Sequence, residues 1–190
     1  MEDLRQTALA YYMAANEDIR HVVEEIFVEM DPNNHRQVKF KEFSAYMETI
    51  GCENMSSEEF YEELKHGGND ELEFDDIITL LYIIYSQRPF CGGKCKKFVK
   101  GMYFTCVKCF DDFDHNEGAL ATPTFSVCSR CFLARDFEHR HGEFLDPIVL
   151  LNLKRMEALR NRQMEVEAAR SSSATSANGT MKSSTSAKVS

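Results

Sequence analysis

The sequence predicts a mainly α-helical domain over residues 1–88 and a small α+β domain of short strands and loops over 89–150. A charged helix over 151–170 and a disordered tail over 171–190 complete the expected order. Three observations carry this reading. Apolar residues recur at helical spacing in the first half, six of seven cysteines fall between Cys91 and Cys131, and residues 171–190 hold eight serines, three threonines and no aromatic.

The helices come first. Ile19, Val22, Val23, Ile26, Phe27 and Met30 follow the i, i+3, i+4, i+7 spacing of one apolar face. Phe40, Phe43, Met47 and Ile50 repeat it after a break, and Ile77, Ile78, Leu81 and Ile84 carry a last helix. Ser56-Ser57-Glu58-Glu59 reads as a capping box opening the helix through Phe60 and Leu64. Two helix–loop–helix units therefore follow one another. They align with an offset of 34 residues, which places Val38 over Leu72 and Glu42 over Asp76. Ser86-Gln87-Arg88-Pro89 reads as the linker to the next section, because proline discourages helical geometry in the residue before it.

Charge divides along the same lines. Residues 1–88 hold 7 Lys+Arg against 20 Asp+Glu, a balance of −13, whereas residues 153–190 hold 7 against 3. An acidic front half argues against broad nucleic-acid binding, which needs a basic surface to displace counterions from phosphates. The most apolar stretch, Ile77 to Tyr85, is too short to cross a bilayer. Met1-Glu2-Asp3-Leu4-Arg5 lacks the basic-then-apolar order of a signal peptide, so the expected location is the cytosol or the nucleus.

The first interhelical break runs Asp31-Pro-Asn33-Asn-His35-Arg36-Gln37-Val38-Lys39-Phe-Lys-Glu42. It resembles an EF-hand calcium loop, and the pair of units resembles a degenerate EF-hand pair over about residues 14–86. Calcium takes six to eight oxygens, so the candidate ligands are Asp31, Asn33, His35, Gln37 (through its carbonyl) and Glu42. His35 offers nitrogen where oxygen is needed. Arg36 stands where the turn calls for glycine, at a cost of about 1 kcal/mol, and Lys39 adds a cation. The second loop counts back from Asp76 to Lys65 and Gly67, which supply no first ligand. The expectation is Ca²⁺ bound weakly or not at all, with Val38 and Leu72 bridging two loops kept for packing.

The cysteine section is more specific. Cys91-x3-Cys95, Cys106-x2-Cys109, Cys128-x2-Cys131 and His139-x-His141 make four ligand pairs, which suit two tetrahedral zinc sites without remainder. Gly92-Gly93 and Gly101 are read as letting the backbone bend tightly around them. With few large aliphatics nearby, metal would supply most of the folding energy. Spacing alone leaves cross-brace and sequential ligation open. His115 is a further candidate ligand, read as solvent-facing within the long loop from Asp111 to Thr124.

The order of pairs, with Gly101-Met-Tyr103-Phe-Thr-Cys106 and the late histidines, resembles the ZZ-type zinc finger over about residues 90–146. It looks most like the form in plant proteins that place such a finger after an EF-hand region. The resemblance implies a cross-brace. One zinc would take Cys91, Cys95, Cys128 and Cys131, and the other Cys106, Cys109, His139 and His141. Ser126 stands where ZZ fingers carry an acidic residue two before the fifth cysteine; Asp111, Asp112 and Asp114 are the substitutes for gripping a peptide amine.

Four protein ligands per site leave no open position for a catalytic water, and no Ser/His/Asp arrangement, phosphate loop or H-E-x-x-H motif is present. Cys52, beside Gly51 at a helix end, is read as a half-buried thiol without chemistry. The expected function is a non-enzymatic, zinc-binding adaptor that takes a protein or peptide. The alternatives are a calcium sensor gating the finger and a ubiquitin-ligase-like cross-brace protein. The helix from Leu150 to Arg170, with Leu153, Met156, Leu159 and Met164 along or near one face, fits a partner helix, packing on the finger or a solvated end equally.

Overall fold

The computed structural model describes residues 1–113 and 124–179. The described residues are mostly helical, with one small antiparallel sheet. The helical part comprises α1 (Glu2–Ala14), α2 (Glu17–Met30), α3 (Phe40–Thr49), a 3₁₀ turn at Glu53–Met55, α4 (Glu58–Leu64) and α5 (Phe74–Tyr85). The remainder holds β1 (Tyr103–Cys106), α6 (Val107–Phe113), β2 (Ser126–Cys128), α7 (Ser129–Ala134), β3 (Phe144–Leu145) and α8 (Pro147–Gly179). No described helix is long and apolar enough to cross a membrane.

Local chemistry sets the helix ends. Asn16 caps α2 by accepting from the Ile19 N–H at 3.0 Å. Ser57, one residue later than expected, caps α4 by accepting from the Phe60 N–H at 3.3 Å. Gly51 closes α3 at φ +74, and the Cys52 N–H returns to the Met47 carbonyl at 2.8 Å, a Schellman arrangement. Gln87 closes α5 the same way at φ 51, with Gln87 N–H to Ile84 O at 3.1 Å and Arg88 N–H to Ile83 O at 3.3 Å.

The two helix–loop–helix units join at the predicted point. Val38 and Leu72 form an antiparallel bridge, with N–H to O distances of 2.8 and 3.1 Å. The Tyr61 hydroxyl also donates to the Val38 carbonyl at 2.8 Å. The repeat extends to capping: Glu42 accepts from the Lys39 N–H and Asp76 from the Glu73 N–H, each at 2.9 Å. Around the bridge, Phe43, Met47, Phe60, Leu64, Ile77, Leu80 and Ile83 form a fully enclosed core. Burying side chains of this size contributes about 1.5–3 kcal/mol each before entropy is counted.

One expectation needs correction here. The apolar stripe of α2 is not buried along its length, because Ile19 and Val22 face water and only Met30 is enclosed. The reason is α1, which the spacing did not single out. It packs on α5, so the early turns of α2 have no element to cover them. α8 runs from Pro147 to Gly179. Residues 180–190 lie outside the described residues.

The break at Pro89 is not a loose joint. Phe98 belongs to the helical core, and Phe60, Phe90 and Phe98 form a ring triangle with centroids 5.6, 5.1 and 5.4 Å apart. Lys97 pairs with Glu59 at 2.6 Å and Lys100 with Glu63 at 3.1 Å across the same contact. Arg88 ties the junction by donating to the carbonyls of Val99, Lys100 and Gly101 at 3.2, 2.9 and 2.8 Å.

Candidate metal centre

The first cysteine pair sits on a hairpin pinned by the Phe90–Phe98 bridge and by Cys91 N–H to Lys97 O at 2.9 Å. Its turn places Lys96 at φ 53 and lets the Gly93 N–H donate to Cys91 Sγ at 3.4 Å. The two glycines here provide room instead of unusual dihedrals. A Cβ on Gly92 would meet the Phe125 ring at 2.5 Å, and one on Gly93 would meet Cys131 Cβ at 2.8 Å and the Asp136 carbonyl oxygen at 2.9 Å. Around Gly101 there is open space, so that glycine bears no such constraint.

The remaining pairs lie at strand-to-helix turns or follow them. β1 lies between β2 and β3, with Phe104 opposite Val127 and Cys106 opposite Phe144. Cys106 ends β1 and Cys109 lies in α6; Cys128 ends β2 and Cys131 lies in α7. Arg135, left-handed at φ 54, ends α7 and turns the chain toward His139 and His141. A small aromatic core supports this frame. Phe104 stacks on Phe132 at 4.1 Å, and Phe125 stacks on the His139 ring at 4.2 Å and 9°.

The pairs gather into two groups, and the grouping is interleaved. Cys91, Cys95, Cys128 and Cys131 form one; Cys106, Cys109, His139 and His141 form the other, with all donor atoms of a group within 4.8 Å of one another. Pairs one and three thus meet, as do two and four, and sequential pairing is not what the chain adopts. Cys95 Sγ and Cys128 Sγ are 3.8 Å apart, close to the edge of a tetrahedron built on metal–sulfur bonds of about 2.3 Å. In the second group Cys106 Sγ lies 3.4 Å from His141 Nδ1, and Cys109 Sγ lies 3.4 Å from His139 Nε2. A mixed sulfur–nitrogen tetrahedron has edges of about 3.5 Å. Both groups are therefore shaped to hold a metal ion.

Their electrostatics fit the same use. Burial pushes the Cys91 thiol up to about 12. Burial also acts on Cys95, but hydrogen bonds from the Lys97 N–H and the neighbouring thiols outweigh it and bring that group to about 7. Burial holds His139 below its ordinary range, in the neutral form that ligates. Backbone N–H groups of Gly93 and Cys128 point at Cys91 Sγ, the latter at 3.3 Å, and that of Cys109 points at Cys106 Sγ at 3.4 Å. These donors orient the sulfurs and stabilise negative charge on them.

The other candidate residues are placed differently. Buried Asp31 accepts from the N–H groups of His35 at 3.0 Å and Arg36 at 2.6 Å. Glu42 is held by the Asn33 amide at 3.1 Å and by Lys39. His35 is exposed, Gln37 is half-buried, and Arg36 takes the strained φ of 62 that its position demands. No metal-type grouping of three or more His, Cys, Asp or Glu side chains arises there among the described residues. Ser126 is buried and hydrogen-bonded to Thr105 at 3.0 Å, so it cannot reach a peptide amine. Asp111 pairs with Lys154 and Asp112 with Lys108, each at 2.6 Å. Asp114, His115 and Asn116 lie outside the described residues. Arg5, which no local sequence pattern singles out, is buried and donates to Asp76 and to the Leu64 carbonyl, each at 2.9 Å. Comparison with protein-family models, curated proteins and solved structures gives no match.

Proposed function

We propose that the chain is a non-enzymatic protein-interaction module whose second half is a ZZ-like cross-brace finger built on two structural Zn²⁺ ions. The observation that carries this is the pair of closed donor sets, four cysteines in one and two cysteines with two histidines in the other. Thiolate and imidazole donors in tetrahedral spacing suit zinc, and four protein ligands leave no site for an activated water. The zinc would fix the hairpin, α6, α7 and the histidine turn in place of a large aliphatic core.

On this reading the first half is an EF-hand-like support that binds calcium weakly or not at all. Asp31 and Glu42 already accept hydrogen bonds within their own loop, and Asp76 is engaged by Arg5 and the Glu73 N–H. A protein or peptide surface remains the ligand class, without the amine-gripping carboxylate of ZZ fingers. Metal analysis of the purified chain should return two zinc ions per molecule; a single zinc would sink the two-site reading. Calcium added to millimolar concentration should give no heat in titration calorimetry, and a saturable signal would revive the sensor alternative.

A further inference from the structure

Two exposed helix faces, far apart in sequence, carry matching rows of opposite charge. On α2, Asp18, Val22, Glu25 and Glu29 stand at i, i+4, i+7 and i+11, one side of the helix, with Ile19 beside Val22. Ile19 and Val22 are 55 % and 51 % exposed although they are β-branched aliphatics on a stable helix. On α8, Arg155, Leu159, Arg162 and Val166 stand at the same i, i+4, i+7 and i+11, and Leu159 and Val166 are 44 % and 46 % exposed. Glu157 is turned away to Lys154, whose ammonium also meets Asp111 and fixes the start of α8 on the finger. Each row spans about 16 Å at 1.5 Å per residue, so they are equal in length.

We propose that α8 of one copy lies along α2 of a second copy, and the reverse, in a two-fold dimer. Arg155 and Arg162 of one row meet Asp18 and Glu25 of the other, seven residues apart on each helix, and Leu159 then covers Val22. Charge complementarity selects this occupant: residues 1–88 carry −13, whereas residues 153–190 hold 7 Lys+Arg against 3 Asp+Glu. A single helix pair is a small contact beside the roughly 1,200 Å² of a stable interface. A two-fold arrangement uses it twice, since each copy offers both rows.

The test is a charge swap on the full, metal-loaded chain, read by sedimentation velocity. Wild type should move from 21.9 kDa toward twice that mass as concentration rises. The dimer should weaken in 1 M salt, where screening falls to about 3 Å. Arg155→Glu/Arg162→Glu and, separately, Asp18→Lys/Glu25→Lys should each be monomeric, while an equimolar mixture of the two should recover the dimer. All four positions are solvent-exposed, so circular dichroism should be unchanged. A wild type that stays monomeric to millimolar concentration overturns the proposal, whether α8 folds back on its own α2 or meets another protein. A dimer indifferent to the charge reversals overturns it equally.

Discussion

Arg5 donates to Asp76 at 2.9 Å across 71 residues of sequence, with both side chains buried. The pair fastens α1 to the second helix–loop–helix unit and occupies the carboxylate that would otherwise close its loop. Removing one partner leaves an uncompensated buried charge, whereas replacing both by apolar groups of similar size removes the desolvation penalty as well. Arg5→Leu should lower unfolding free energy by about 3–5 kcal/mol in urea titration. Arg5→Met with Asp76→Asn, which keeps an acceptor for the Glu73 N–H, should recover part of that loss; equal destabilisation by the double variant would show that the uncompensated charge was not responsible.

Gly93 is the most constrained backbone position of the four-cysteine group. A methyl there meets backbone and Cys131 together, so relief requires moving that cysteine. Gly93→Ala should cut metal retained under mild chelation from two ions toward one, measured by elemental analysis. Gly101→Ala, facing open space, should keep both.

Phe98 lies in the hairpin that carries Cys91 and Cys95 and yet packs in the helical core. Phe98→Ala should cost about 3–5 kcal/mol, as for other buried aromatics, and the loss should appear in the melting of α3–α5. Stripping metal from the wild type should lower the same transition, because the Cys91–Cys95 hairpin holds Phe90 and Phe98 in place. An unchanged helical transition after chelation would refute this coupling.

Burial pushes Tyr61 up to about 12, above an ordinary tyrosine near 10. The fold favours its neutral form, which donates to Val38 at the bridge. Its contribution is therefore complete below about pH 10 and is lost as pH climbs from about 10 toward about 12. Tyr61→Phe should cost about 1 kcal/mol at neutral pH, and urea midpoints should then fall less steeply over that alkaline range than in wild type.

The candidate metal donors stand out in the sequence because ligation demands pairs close along the chain. Cys106 and Cys109, or His139 and His141, are visible without any knowledge of the fold. Which pair meets which depends on strand order, and no local spacing encodes the antiparallel register that sets Tyr103 opposite Cys128. Helix periodicity found α2 but not its exposure, since Ile19 reads the same whether or not a neighbour covers it. α1 escapes a periodicity reading because its buried positions, Leu4, Arg5 and Ala8, include a cation whose partner is distant in sequence. Pro89 marked the end of α5 correctly, but a left-handed Gln87 and two phenylalanines convert that break into a packed junction.

The triangle of Phe60, Phe90 and Phe98 has a consequence for dissection of the molecule. A fragment cut at Pro89 would carry two stranded aromatic rings on one piece and leave an open socket beside Phe60 on the other. Packing therefore runs across the apparent domain boundary, and binding studies on an excised second half would measure an aromatic surface that the intact chain keeps covered.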